Sequence, residues 1–224
     1  MQSFDQQYWE QHWDTSPAST SHRPAANPYM REETSDLPPG TALDAGCGTG
    51  AEAIWLATHG WTVTGADISG SALTAASTGG QTAGVEDRLT WIEADLTSWD
   101  PDNRWDLVTT NYAHSTLPQL VFYQRISEWV APHGTLLIIG HLHDQHPHPD
   151  AHSHAHSDRG PHSGSGSGHQ HPPEATVTLA STVASLDSTH WTIHTARENT
   201  RTVMAPTGHK VELRDVIVRA TRNS

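Results

Sequence analysis

The sequence predicts an α/β fold: a doubly wound sheet of seven strands, mainly parallel, that closes on an antiparallel C-terminal hairpin. Three observations predict it. Between residues 41 and 140, short apolar runs alternate with helix-like stretches, the rhythm of a parallel sheet covered by helices. Three alternate glycines, Gly46, Gly48 and Gly50, stand where the first strand hands over to the first helix. Two β-rich runs end the chain with only a Pro206-Thr207-Gly208 turn region between them, so they pair antiparallel.

Each element has its own signal. Phe4, Tyr8, Trp9 and Trp13 fall on one face of a short helix within residues 1–15. Ser, Pro, Asn and Thr then give a loop to Gly40, with one short helix over 29–35. Strand one spans 41–45, and the helix over 51–59 turns Ile54, Trp55 and Leu56 inward and stops at Gly60. Strand two covers 61–67, a helix of small residues 69–83, strand three 89–94 and strand four 105–110. A helix over 118–130 leads to strand five over 135–140. After a polar interruption come a helix over 175–186 and the hairpin strands 191–197 and 211–220.

Length and charge narrow the function. A chain of 224 residues suits one domain with one insertion. Asp and Glu number 25 against 12 Lys and Arg, a formal charge of -13, so there is no basic field to hold a phosphate backbone and nucleic acid is not an expected partner. There is no apolar run of membrane-spanning length and no leader-like N-terminus, so the expectation is a soluble, cytoplasmic protein without a membrane partner. Cys47 is the single cysteine and reads as a small residue packed in a glycine turn, not as a nucleophile.

The segment Leu43-Asp44-Ala45-Gly46-Cys47-Gly48-Thr49-Gly50 carries the sharpest chemical signal. Its glycines let the backbone turn tightly and approach a ligand, with helix amides behind them. A dinucleotide loop would place its third glycine one position later and would not carry Asp44. Two further acids, Asp67 and Asp95, fall at the ends of strands two and three.

On these residues the chain resembles the class I S-adenosylmethionine-dependent methyltransferases, whose first motif is an acid followed by Gly-x-Gly-x-Gly. The likeness continues through DLVTTNYAH at 106–114 and RISEWVAPHGTLLIIGH at 125–141, and is nearest the actinobacterial small-molecule enzymes related to the tellurite-resistance and thiopurine groups. It implies a Rossmann-like fold and S-adenosylmethionine as cofactor, held by Asp44, Gly46, Cys47, Gly48 and Gly50. Asp67 would take the ribose hydroxyls with Ile68 against the adenine, and Asp95 the adenine amine beside the Leu96 amide. Asn111, Tyr112 and His114 would line the small-molecule acceptor's site, Asn111 also near the cofactor, and His114 would orient the acceptor or take its proton. Tyr8, Trp9 and Trp13 resemble lid residues, a packed edge helix being the other reading. The domain then divides into a lid region (1–36), a cofactor-binding core (37–141), an insertion (142–173) and a closing helix and hairpin (174–224).

The insertion needs its own account, because ten of the eighteen histidines lie between His141 and His171. With few apolar residues it is expected to be disordered. His141, His143, His146, His148, His152, His154 and His156 are candidate ligands for Ni or Zn, gathered adaptably and not as a fixed site. Two functions stay open: methyl transfer to a small acceptor, with thiols and metalloids among the nucleophiles, or metal buffering on a methyltransferase scaffold. A solvated linker is the bland alternative for the tract.

Overall fold

A computed structural model describes residues 4–15, 25–142, 177–204 and 210–224. Its strands are β1 (Thr41–Ala45), β2 (Thr62–Asp67), β3 (Leu89–Glu93), β4 (Trp105–Asn111), β5 (Val130–His141), β6 (Trp191–Met204) and β7 (Lys210–Arg222). They form one seven-stranded sheet in the order β3-β2-β1-β4-β5-β7-β6. β1 to β5 run parallel, and β7 lies antiparallel to both β5 and β6. The expected class is what the chain adopts.

The helices are α1 (Gln6–Thr15), α2 (Pro28–Thr34), α3 (Ala51–Thr58), α4 (Gly70–Ala83), α5 (Gln119–Ser127) and α6 (Leu179–Ala184). The central strands are apolar on both faces because both are covered. In β5, Leu136 and Ile138 pack on one side with Phe122, Tyr123 and Ile126 of α5. Leu137 and Ile139 face the other way, toward Met30 of α2 and Leu56 of α3. Trp55, expected to point inward, is only half-buried and stacks on His59 at 4.0 Å between ring centroids.

The differences from expectation lie at the C-terminal end. β6 and β7 pair from Trp191↔Arg222 to Met204↔Lys210, well beyond the apolar runs that mark them in the sequence. Cross-strand charge holds that extension, with Arg201 Nε on Asp215 at 2.8 Å and Arg214 on Glu198 at 3.3 Å. α6 is shorter than read, because the Thr178 hydroxyl caps it through the Ser181 amide. β5 begins at Val130, five residues early, since Trp105 already pairs there across an irregular register. The insertion, with His143, His146, His148, His152, His154 and His156, lies outside the described residues.

Candidate functional site

The carboxyl ends of β1, β2, β4 and β5 meet at one edge of the sheet, where a doubly wound fold binds its ligands. Gly46 (φ 77°) and Gly48 (φ 49°) turn there in a region that side chains avoid. Their missing side chains are also needed for space. A Cβ on Gly46 would lie 2.3 Å from Cβ of Ala113, and one on Gly48 would lie 2.8 Å from Cζ2 of Trp13. Both the loop after β4 and helix α1 therefore sit directly on the glycine turn.

Asp67 ends β2 and ties this turn together. Its carboxylate accepts the Gly48 amide at 2.8 Å and the Ser69 amide at 3.0 Å. Burial pushes its pKa above the usual carboxylate value, and the amides of Ser69 and Gly48 oppose the shift. Asp44 is wholly buried beneath the loop, accepts the Ala53 amide at 3.2 Å, and is pushed well up by burial and then by neighbouring Glu52. Glu52 in turn accepts the Asn27 amide at 3.0 Å. Cys47 is buried, and burial, then Asp44 and Asp67, pushes its thiol up. A thiolate is disfavoured there, in keeping with a packing role.

The other predicted adenosine-side residues are spread differently. Ile68 is half-buried beside Asp67. Leu96 packs in the core, and its carbonyl accepts Arg125 Nε at 2.8 Å. Asp95 stands exposed, two residues beyond β3, and its carboxylate accepts the Thr97 amide at 2.9 Å in a turn.

On the acceptor side, Asn111 ends β4 with its amide nitrogen on Thr109 Oγ1 at 3.2 Å, while its buried Oδ1 has no hydrogen-bond partner among the described residues. Tyr112 follows at φ 55°, a strained conformation for a side-chain-bearing residue. The strain turns the chain so that Ala113 meets Gly46. It is held by the Tyr112 amide on the Ile139 carbonyl at 2.9 Å and by Arg201 Nη2 on the Tyr112 hydroxyl at 3.0 Å.

His114 has a fixed tautomer, through a residue that sequence reasoning missed. Gln119 donates its amide N–H to the Ala113 carbonyl at 2.9 Å, so its Oε1 is the atom facing His114 Nδ1 at 3.0 Å. An amide oxygen only accepts, hence Nδ1 carries the proton and Nε2 is the basic nitrogen of the neutral ring. Nothing in the sequence marked Gln119 beyond its place at the start of α5.

Helix α1 roofs the cleft. Phe4 stacks on His114 at 5.3 Å, and Trp13 covers Gly48. Tyr8 and Trp9, both half-buried, join Phe4 at 5.3 and 6.0 Å in the same run of rings. Glu10, also missed, accepts the Gly70 amide at 2.7 Å and the Ser71 amide at 3.4 Å at the start of α4. Ser71 and the backbone amides lower its pKa. The helix touches the glycine turn through Trp13 and also the end of the edge strand β3, where Gln6 Nε2 donates to Glu93 Oε1 at 3.1 Å. Among the described residues, no group of three or more His, Cys, Asp or Glu is placed to hold a metal ion. His141 lies beside Asp215, with Nδ1 3.8 Å from Oδ1.

Residues 42–134 match the family model of a methyltransferase domain, and those residues contain the glycine turn, Asp67 and the tip of β4. Over those residues the chain carries the sequence pattern of a methyltransferase domain. Over 135 residues the chain is 27% identical to "Probable thiol methyltransferase 2" of Arabidopsis thaliana, covering 58% of itself and 60% of that relative. Over 73 residues it is 42% identical to ribosomal RNA small subunit methyltransferase C of Alcanivorax borkumensis, covering 33% of itself but 22% of that protein. It thus spans less than two thirds of either curated relative. The same fold is seen in a structure of the enzyme that converts a disulfide bond into a thioacetal group during echinomycin biosynthesis, with TM-score 0.67, 20% identity, and 97% and 91% of the two chains covered. TehB of Haemophilus influenzae also has TM-score 0.67, at 14% identity, with 96% and 67% covered. Other structures of this fold hold S-adenosylmethionine or S-adenosylhomocysteine.

Proposed function

We propose that this methyltransferase moves a methyl group from S-adenosylmethionine to the sulfur of a small thiol. The observation that carries the proposal is the fixed tautomer of His114, which sets a basic Nε2 at the tip of β4 next to the loop seated on the glycine turn. A thiol arrives largely protonated at neutral pH, with an ordinary pKa of about 8.5, so a base is useful.

The residues fit the cofactor. Asp67 brings a buried carboxylate to the glycine turn, and Asn111 offers an Oδ1 with no hydrogen-bond partner among the described residues. Asp67 would take the ribose hydroxyls, and the Asp44, Gly46 and Gly48 turn would carry the amino-acid tail. Asp95, exposed and tied into a turn, is the weakest of the assigned contacts. Bound there, S-adenosylmethionine supplies an electrophilic methyl carbon: the thiol sulfur's electron pair forms the new S–C bond, the pair of the breaking C–S bond stays with the cofactor as S-adenosylhomocysteine, and the thiol proton goes to His114 Nε2. Phe4 and the other rings of α1 exclude water from that encounter.

The thiol assignment is supported by the names of the Arabidopsis relative and of the echinomycin enzyme, both concerned with sulfur. The charge of -13 speaks against the RNA substrate named for the Alcanivorax relative. No described helix is long and apolar enough to cross a membrane. We hold the His-rich tract dispensable for cofactor binding, so a chain lacking residues 144–172 should bind S-adenosylhomocysteine as the full chain does. The test of function is mass-spectrometric detection of methylated product from thiols, phenols, amines and metalloid oxyanions side by side. Product from the thiols is expected; turnover of any other class alone overturns the assignment.

A further inference from the structure

Arg197, Arg214 and Arg219 of β6 and β7 are each paired with exposed or half-open carboxylates of the chain: Glu32 and Glu33, Glu198, and Asp36. Arg219 shows the geometry most fully. Its Nη1 and Nη2 donate to the two oxygens of Asp36 at 2.8 and 2.9 Å, so the terminal fork of the guanidinium grips one carboxylate.

Arg201 is turned the other way. Nε donates to Asp215 Oδ2 at 2.8 Å and Nη2 to the Tyr112 hydroxyl at 3.0 Å, so the protein uses the side edge of this guanidinium. Asp215 is shut from solvent and anchors that edge, while the Arg201 side chain is 28% exposed. Nη1 has no hydrogen-bond partner among the described residues, and it is not one of the buried polar atoms left without a partner. The donors of a guanidinium lie in one plane, so the end away from Asp215 keeps Nη1 and the second N–H of Nη2 for a planar acceptor.

The strand register places this end of the side chain. Asp215 pairs with His141 at the end of β5 and with Asn199 of β6, so Arg201 stands two residues further along β6, past the carboxyl end of β5. Its guanidinium lies 5.3 Å over the Tyr112 ring, at the tip of β4. Ligands of such a sheet bind at this edge.

We propose that the terminal fork of Arg201 receives a carboxylate of the acceptor, so that the small thiol methylated here is a mercaptocarboxylate. This rests on the thiol reading above. Asp215 compensates the charge of Arg201, so the fork works by directed hydrogen bonds more than by net attraction, and the chain's charge of -13 repels anions that no such fork receives. Asp215 acts through Arg201 as a positioning residue.

The test compares mercaptoacetate with 2-mercaptoethanol on the full-length chain. Mercaptoacetate should be favoured in kcat/KM by at least about tenfold, the range of a charge-assisted hydrogen bond, with the difference in KM and not in kcat. Arg201→Lys keeps a charge opposite Asp215 but has no fork, and should cut the preference to below about threefold. Arg201→Gln combined with Asp215→Asn leaves no uncompensated buried carboxylate and should erase it. Retained S-adenosylhomocysteine binding shows that each variant is folded. Calorimetry with (methylthio)acetate in the presence of S-adenosylhomocysteine reads the carboxylate contact without turnover: binding by the unsubstituted chain should be lost in the double variant. No preference for mercaptoacetate, or a preference and (methylthio)acetate affinity unaltered in the double variant, overturns this inference and leaves the thiol reading. Methylation of neither thiol, with (methylthio)acetate binding still dependent on Arg201, overturns the thiol reading and leaves the carboxylate contact standing.

Discussion

The two halves of the cleft lie on one sheet edge yet are built from different materials. The adenosine half, at β1 and β2, uses backbone amides and buried carboxylates: Gly46 and Gly48 at positive φ, Asp44 and Asp67 below them. The proposed acceptor half, at β4 and β5, uses rings: His114, whose Nδ1 faces Gln119 Oε1, and Tyr112, whose hydroxyl accepts Arg201 and on which His141 stacks. On the proposed reading the first half holds the cofactor and the second moves a proton at a chosen atom, which backbone amides cannot do.

The largest effect should come from breaking the acceptor half alone. His114→Ala removes the basic Nε2 without touching the glycine turn, and general-base residues contribute about 10²- to 10⁴-fold. Turnover with a thiol should fall by at least about 10²-fold, while S-adenosylhomocysteine affinity in calorimetry stays within about twofold. Gln119→Leu should fall less, since it frees the tautomer but leaves the imidazole in place. Equal loss of affinity and turnover in His114→Ala would mean that the halves are not separable.

Breaking the adenosine half reverses the pattern. Asp67→Ala removes the acceptor of the Gly48 and Ser69 amides as well as the proposed ribose contact. Charge-assisted hydrogen bonds are each worth about 1.5 to 3 kcal/mol, so S-adenosylhomocysteine affinity should drop at least about tenfold. An unchanged dissociation constant in a folded variant would remove Asp67 from the cofactor site.

The halves also differ in how much the sequence disclosed. Asp44, Gly46, Gly48 and Asp67 lie within 24 residues and follow from backbone needs that only glycine and a short acid meet, so a single stretch announces them. The proposed acceptor half draws Phe4, His114, Gln119 and Arg201 from across the chain, and the fold brings them together around Tyr112 and His114. The ionic extension of β6 and β7 reads as loop because its residues are polar, yet it is what delivers Arg201 and Asp215. His141 was legible as a histidine in a histidine tract; its stacking on Tyr112 was not. Asp95 stands exposed two residues beyond β3, with its carboxylate on the Thr97 amide.

A pH series sharpens the comparison further. Asp67 has its folded pKa raised by burial above the ordinary 3.8. Across the window from 3.8 up to that raised value the native state holds more protons than the unfolded chain, so this group's contribution to stability is present at low pH and is lost as pH rises. The ionised carboxylate is the better acceptor for ribose hydroxyls, so cofactor affinity should rise over the same window. The increase in Tm given by S-adenosylhomocysteine should therefore grow as pH rises from 3.8 through the raised value in the unsubstituted chain and stay flat in Asp67→Asn. A flat response in both would mean that Asp67 does not gate binding.

The smallest expected effect concerns the roof that spans both halves. Glu10 fastens α1 to the start of α4 through the Gly70 and Ser71 amides, while Phe4 rests on His114 in the acceptor half. Its pKa is lowered, chiefly by the Ser71 hydroxyl, so the fastening is complete above the ordinary 4.5 and is lost as pH falls through the lowered value. Glu10 is half-buried at the surface, and solvent-screened contacts of that kind contribute only about 0.2 to 1 kcal/mol. Glu10→Ala should accordingly weaken S-adenosylhomocysteine binding by about twofold to fivefold, and the change should lie in faster release, because a loosened roof opens more often without altering the turn beneath it. Stopped-flow fluorescence of Trp9 and Trp13 reads that release directly. An unchanged release rate, with Trp13 still quenched on ligand binding, would show that ring packing on Gly48 and His114 holds the roof without Glu10.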